Sequence, residues 1–368
     1  MTGPALSPGV PFATSSSEVS WPEAPLPLTA PARPGAWLLL TDEHPAALGR
    51  AVALALALAA AGDDALSLPR DDLDELPGFL AERPVRGVVF LTGAPYVYHD
   101  PEAAQELLLA VLEVVARLGP GVRFRLLTQS GGEPGLLFLR GLVRVLAVER
   151  PELRASLVDF DARSDLEFLV RELRADAPDD DVRWRHEVRY AARPARVPFA
   201  AEVPGGPGAY VVTGARGPAI ARWLAATGAT RIVLSGRNTV VVPGVETVAV
   251  PGDIAAPGVA ERLVAAATAD GLPLRGMVHA AEALADDVET VWRPQVLGAH
   301  RLHEATADCP PDWWLLCSSP APARMASATA DAWLAAFAAW RRARGLPATT
   351  VHWPAPAPLA MDLPDFAC

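Results

Sequence analysis

The 368-residue chain contains no lysine; all 32 of its basic residues are arginine. Arginine keeps its proton at any working pH, so chemistry that runs through a titrating amine is excluded. That removes Schiff-base catalysis, the lysine of a phosphate-binding P-loop, and an ammonium group placed to lower a tyrosine pKa. Tyrosine is almost as scarce. Its four copies are Tyr96, Tyr98, Tyr190 and Tyr210, so nothing beyond Tyr210 offers a phenolic proton. Three cysteines (Cys309, Cys317 and Cys368) lie without metal spacing and form no disulfide framework, which fits a reducing cytoplasm. Basic charge is in deficit, and a formal net charge of −11 excludes a phosphate-tracking nucleic-acid surface. Long apolar runs are missing too. The longest, residues 51–61, falls short of the ~20 residues of a membrane span and reads as a buried helix. The N-terminus lacks the basic-then-apolar pattern of a secretory signal, so a cytoplasmic protein without membrane contact is expected.

What is present is alternation. Residues 1–34, rich in Pro, Ser and Ala, read as a linker with one short strand near 18–21. Apolar runs at 36–41, 88–91, 124–128 and 155–159 read as strands, and residues 45–61, 101–118 and 136–148 as the helices between them. Strands alternating with helices imply a doubly wound, mostly parallel sheet. Its opening turn, residues 41–45, carries no glycine fingerprint, and His44 there reads as a turn or capping residue. An acidic run at 176–181, an alternating strand at 184–190 and a proline-rich linker at 194–207 mark a boundary. Beyond it, the run 210–213 passes through Gly214 and Gly217 into an amphipathic segment and then a second apolar run, 231–234. That is the first unit of a dinucleotide-binding fold, where amides at a helix N-terminus hold a pyrophosphate. The fold class expected is α/β, with two Rossmann-like doubly wound parallel-sheet subdomains at 35–200 and 201–368.

The motifs GLVRVLAVERPELRASLVDFD (141–161), VVTGARG (211–217), GMVHAAEAL (276–284), WRPQVLGAHRLHEAT (292–306), WWLLCSS (313–319) and FAAWRRARGLPATTVHW (337–353) follow one another along the chain. Together they resemble the ketoreductase domain of type I modular polyketide synthases, of the short-chain dehydrogenase/reductase kind, over roughly residues 18–353. The resemblance implies a structural half before a catalytic half, and NADPH-dependent reduction of a β-keto thioester carried on an acyl carrier protein. It implies as partners that carrier and the neighbouring synthase domains, in a setting of antibiotic biosynthesis.

Measured against that family, the cofactor region is shortened. Where the family has TGGxGxLG, residues 213–220 are fewer and lack the later glycine, Pro218 removes an amide donor, and Arg216 adds bulk. Gly214, Gly217, Arg237 and Asp253 are the remnants of the site: Arg237 matches the arginine that meets the 2′-phosphate of NADPH, and Asp253 the acid beside the adenine. Only residues 238–252 lie between those two, in place of a helix and a strand, so the parallel connection there is expected to be lost. Of the catalytic group, the lysine position falls at Gln295, the tyrosine at Ser327 and the asparagine at Asp331, while Ser319 keeps the serine. Residues 320–326 form a shortened loop, and after 351–353 the family's lid is missing. The expectation is a redox-inactive domain with a structural, organising role, an ancestral NADPH site that is lost, no metal, and a β-keto group left unreduced. The alternatives are a cofactor-independent epimerase of α-substituted β-ketoacyl carrier substrates, a module that holds a nucleotide as regulator, or an NADPH-dependent reductase.

Three further groupings have plainer readings. Ser319 with His279 or His303 lacks the strand-to-helix GxSxG elbow of a nucleophile. His300, His303 and Glu304 read as a solvated helix face rather than a metal site. Trp313 and Trp314 read as the start of a core strand.

Overall fold

The computed structural model describes residues 15–27, 34–68, 70–93, 100–129, 136, 138–161, 165–198, 204–236, 241–281, 283, 285–318 and 324–352. Strand β1 (Ser15–Ser20) leads into the first subdomain. Its elements are β2 (Ala36–Thr41), α1 (Pro45–Ala60), β3 (Asp64–Ser67), α2 (Leu76–Glu82), β4 (Gly87–Leu91), α3 (Pro101–Arg117), β5 (Arg123–Thr128), α4 (Leu139–Glu149), β6 (Ser156–Phe160), α5 (Leu166–Arg174), β7 (Asp181–Arg185) and β8 (Val188–Ala191). They form a seven-stranded sheet of order β3-β2-β4-β5-β6-β7-β8, parallel except for the β7–β8 hairpin. The β4 and β6 strands are buried along their whole length, as parallel strands covered on both faces must be. His44 caps α1 as anticipated, its ring accepting from the Ala46 amide, with Pro45 in the first turn.

Strand β9 (Arg193–Pro198) crosses to the second subdomain. There follow β10 (Ala209–Thr213), α6 (Gly217–Ala226), β11 (Arg231–Ser235), β12 (Glu246–Val250), α7 (Val259–Thr268), β13 (Leu274–His279), α8 (Val288–Trp292), α9 (Gly298–Ala305), β14 (Trp313–Ser318), α10 (Met325–Ala343) and β15 (Thr349–His352). The six strands run parallel in the order β12-β11-β10-β13-β14-β15, the strand order of a dinucleotide-binding sheet. Both halves are therefore Rossmann-like parallel-sheet subdomains, as expected.

Four expectations are corrected. The stretch 184–190 is a hairpin rather than one strand, because His186 turns the chain at φ 55° between β7 and β8. Residues 194–198, read as the start of the linker, belong with Arg193 to a strand that pairs antiparallel with β1; prolines are tolerated on such an edge ribbon. The run 51–61 is not a buried helix throughout: Leu54 and Leu58 face the core, while Val52 and Leu56 are 63% and 69% exposed. Lastly, the parallel connection after β11 survives without its helix. β12 pairs with β11 in register from Arg231↔Glu246 to Ser235↔Val250. Ten extended residues reach about 33 Å, whereas returning along a five-residue strand needs about 17 Å, so the ten positions between β11 and β12 are enough to span the return. Val242, within that passage, joins the buried apolar cluster that contains Tyr210, Ile220 and Trp223.

The halves share one core. Phe138 meets Trp292 edge-on at 5.7 Å, and the Trp292 indole donates to the Pro101 carbonyl at 3.1 Å. Helices α4 and α10 cross so closely that a Cβ on Gly141 would lie 2.1 Å from the Ala328 carbonyl oxygen. Among the described residues no helix is long and apolar enough to cross a membrane.

Candidate functional site

In an open parallel sheet the ligand crevice lies beyond the carboxyl ends of the strands, where the strand order reverses. Here that is the gap between β10 and β13. Gly214 turns out of β10 at φ +100°, and a Cβ there would stand 1.8 Å from the Ala280 oxygen, so only glycine fits against the end of β13. Gly217 opens α6, with its Cα side against Leu234. The amides of that first turn are already engaged: Gly217 donates to the Gly214 carbonyl at 3.1 Å and Ala219 to the Arg216 carbonyl at 3.1 Å, while Pro218 has no N–H. The side chain of Arg216 supplies no cap. The donors on which pyrophosphate binding at such a turn depends do not fit that group at residues 217–219.

Asp253 is also committed. Its carboxylate accepts from the Ala255 amide at 2.9 Å and pairs with Arg293 at 2.7 Å. Burial pushes this carboxyl up, yet those two donors outweigh it and hold it below the ordinary value. Arg237 and Ser319 lie outside the described residues.

Gln295 sits in a π-helical turn, residues 293–297, that packs against α10. It is 4% exposed and its carboxamide oxygen has no hydrogen-bond partner. Ser327 is buried on α10, and Asp331 follows one turn later on the same face, half-buried. The elements carrying these three positions are thus brought together. No described tyrosine joins them: Tyr210 lies wholly buried in β10, its hydroxyl donating to the Gly206 carbonyl at 2.9 Å, and burial pushes its phenol up. Tyr190 belongs to β8 in the other half.

His279 is the residue whose role was not foreseen. At the end of β13 it is 1% exposed, its Nδ1 2.7 Å from the Thr213 hydroxyl and its Nε2 2.9 Å from the Gln295 carbonyl oxygen. A carbonyl only accepts, so Nε2 carries the proton and Nδ1 accepts from Thr213. The ring ties the end of β10 to the π turn, and burial lowers its pKa to about 4. A lone histidine inside the apolar run 276–281 was the available signal. Of the other histidines, His300 is buried beside Glu304 at 3.6 Å, so that helix face is not the solvated one expected; His303 accepts from Arg341 and stacks edge-on against Trp340 and Phe337. Trp313 and Trp314 do begin a buried strand. No metal-binding group of His, Cys, Asp or Glu occurs among the described residues.

Residues 208–357 match the KR domain family. Over 91% of its length the chain is 36% identical to a phenolphthiocerol/phthiocerol polyketide synthase polypeptide of Mycobacterium tuberculosis, of which it spans 22%. Over 40% of its length it is 42% identical to the phthioceranic/hydroxyphthioceranic acid synthase of Mycobacterium bovis, of which it spans 8%. Among solved structures, the first ketoreductase of the tylosin polyketide synthase superposes with a TM-score of 0.71 at 27% identity, covering 92% of this chain and 82% of that one. An A-type ketoreductase from a modular polyketide synthase gives a TM-score of 0.74 at 24% identity over the same shares, a likeness of fold. The chain is built as a modular polyketide synthase ketoreductase domain. The match to the KR domain family, residues 208–357, falls on the second sheet, which carries the β10–β13 crevice.

Proposed function

We propose that this ketoreductase domain is redox-inactive and serves a multidomain polyketide synthase as an organising element, spacing the neighbouring catalytic domains and the acyl carrier protein while the β-keto group stays unreduced. The observation that carries the reading is the loss of both proton-handling residues: the chain has no lysine and no tyrosine after Tyr210, and Gln295 and Ser327 stand at the positions the resemblance gives to that pair. General-acid catalysis is worth roughly 10² to 10⁴ in rate, and the sequence after Tyr210 has neither a phenol nor an ammonium to supply it. The engaged amides of the α6 turn and the committed carboxylate of Asp253 support the further reading that NADPH binding has been lost. The intact sheets and shared core support a retained structural role. The epimerase reading has no supporting observation, since the tyrosine position is gone as well.

The test is to incubate purified chain with NADPH and a β-ketoacyl thioester and to follow both NADPH absorbance and the 3-hydroxyacyl product. No turnover above the enzyme-free rate is expected. Accumulation of 3-hydroxyacyl product would overturn the proposal.

A further inference from the structure

Helix α1 is apolar nearly all round. Among its 16 residues the one charged side chain is Arg50, and that guanidinium turns inward to the Thr92 and Gly93 carbonyls and the Gln129 side chain. The outward face presents Leu48, Val52 and Leu56, spaced one turn apart and 50%, 63% and 69% exposed. The remaining exposed residues of α1 are Pro, Ala and Gly, so no polar side chain shares that face. A helix facing water normally carries charge there, and one without it is normally covered. The stripe borders a groove of about 590 Å³ that wraps β3, the open edge of the first sheet, with Ala55, Leu66, Leu68 and Phe90 in its lining. Among the described residues, this groove and the adjoining hollow on α3 are lined by the carboxylates Asp42, Glu43, Glu106 and Glu113 and by no basic side chain, with Arg117 pairing to Glu113 at 3.3 Å from outside the lining.

We propose that this face docks an amphipathic helix with basic flanks, carried by a neighbouring domain of the same polypeptide. A row of side chains at i, i+4 and i+8 is a ridge of the kind that seats in the groove of a second helix. The carboxylate rim selects basic flanks, and it disfavours a second copy of this chain, which would set acid against acid. Area argues for a tether. A 16-residue helix about 24 Å long and about 10 Å wide presents about 240 Å², far below the roughly 800 Å² per partner of a stable free complex. Attachment to the same polypeptide supplies the missing association through an effective concentration in the millimolar range. The tether rests on the multidomain reading above; the chemistry of the surface does not.

The experiment titrates the full chain into a fluorescent leucine–lysine model peptide that forms a cationic amphipathic helix, and into its leucine–glutamate counterpart, with anisotropy as the readout. Saturable binding of the lysine peptide is expected at a Kd of about 10 to 100 μM, with no binding of the glutamate peptide. The double variant Val52→Ser, Leu56→Ser should weaken it at least about tenfold, and Glu106→Gln with Glu113→Gln should reduce both affinity and salt dependence. Far-UV circular dichroism verifies that the variants are folded. Absence of binding, or equal binding by the variants, overturns the proposal. So does sedimentation showing a wild-type dimer that the serine variant converts to monomer. Turnover of NADPH would refute the redox reading and leave this one standing.

Discussion

Acidification through the ordinary histidine range should weaken this protein by way of His279. The folded ring titrates at about 4 against 6.5 for a solvated histidine, because burial disfavours the imidazolium. Between those values the unfolded chain takes up a proton that the folded one refuses. The stabilisation is therefore complete above pH 6.5 and is lost as pH falls towards about 4. At 1.36 kcal/mol per unit the whole effect is about 3 kcal/mol, of which about 1.4 kcal/mol is gone by about pH 5.5. With a urea m value of about 3 kcal/mol/M, the unfolding midpoint drops by about 0.5 M. Other groups titrate in the same window, so the decisive comparison is with His279→Gln. Its amide accepts from Thr213 and donates to the Gln295 carbonyl without titrating. The stability difference between wild type and variant should shrink by about 1.4 kcal/mol from pH 7 to about pH 5.5. Parallel pH profiles for the two proteins would refute the reasoning.

Other substitutions read the same structure. Gly141→Ala drives a methyl into the Ala328 carbonyl at the α4–α10 crossing and should cost about 3 kcal/mol in a urea melt; an unchanged midpoint would show that the helices part freely. Arg189→Met leaves the buried Glu172 carboxylate with the Trp184 indole as its remaining donor and the half-buried Asp179 with Arg193, and a loss of about 3 kcal/mol is expected by the same measurement. Gln295→Met removes a buried carboxamide oxygen that lacks a partner and should leave the melting temperature equal or higher; a fall would show that the carboxamide contributes. Restoring tyrosine at Ser327 should yield no NADPH-dependent reduction, because the lysine position and the α6 turn remain altered; product formation would mean that the crevice still binds cofactor.

The parts of the fold that could be read from the residues were those with strong local patterns. The run 36–41 is β2 residue for residue, and the passage from 210 through Gly214 and Gly217 to 234 is β10–α6–β11. Short or contradictory signals were not legible. β3 has four residues, α2 contains both Pro77 and Gly78, and the prolines of residues 193–198 mask a strand whose pairing is decided by distant β1. β12 was concealed for a different reason: the deletion before it suggested that the unit had gone, whereas the alternation in Glu246–Val250 needed only a long enough passage to reach β11. For the site, residue identities alone exposed the lack of a phenol and an ammonium. The His279 tie and the engagement of the α6 amides depend on tertiary placement, which spacing does not encode.

The Trp292 indole that reaches Pro101, and the Gly141 contact with Ala328, place the two sheets in one cooperative unit. Cutting the chain near residue 200 would then divide a topology without dividing a folding unit. Each fragment, expressed alone, would expose the apolar surface its counterpart covers and would collapse or aggregate; mixed, the two should reassemble by fragment complementation into a particle that melts in a single transition.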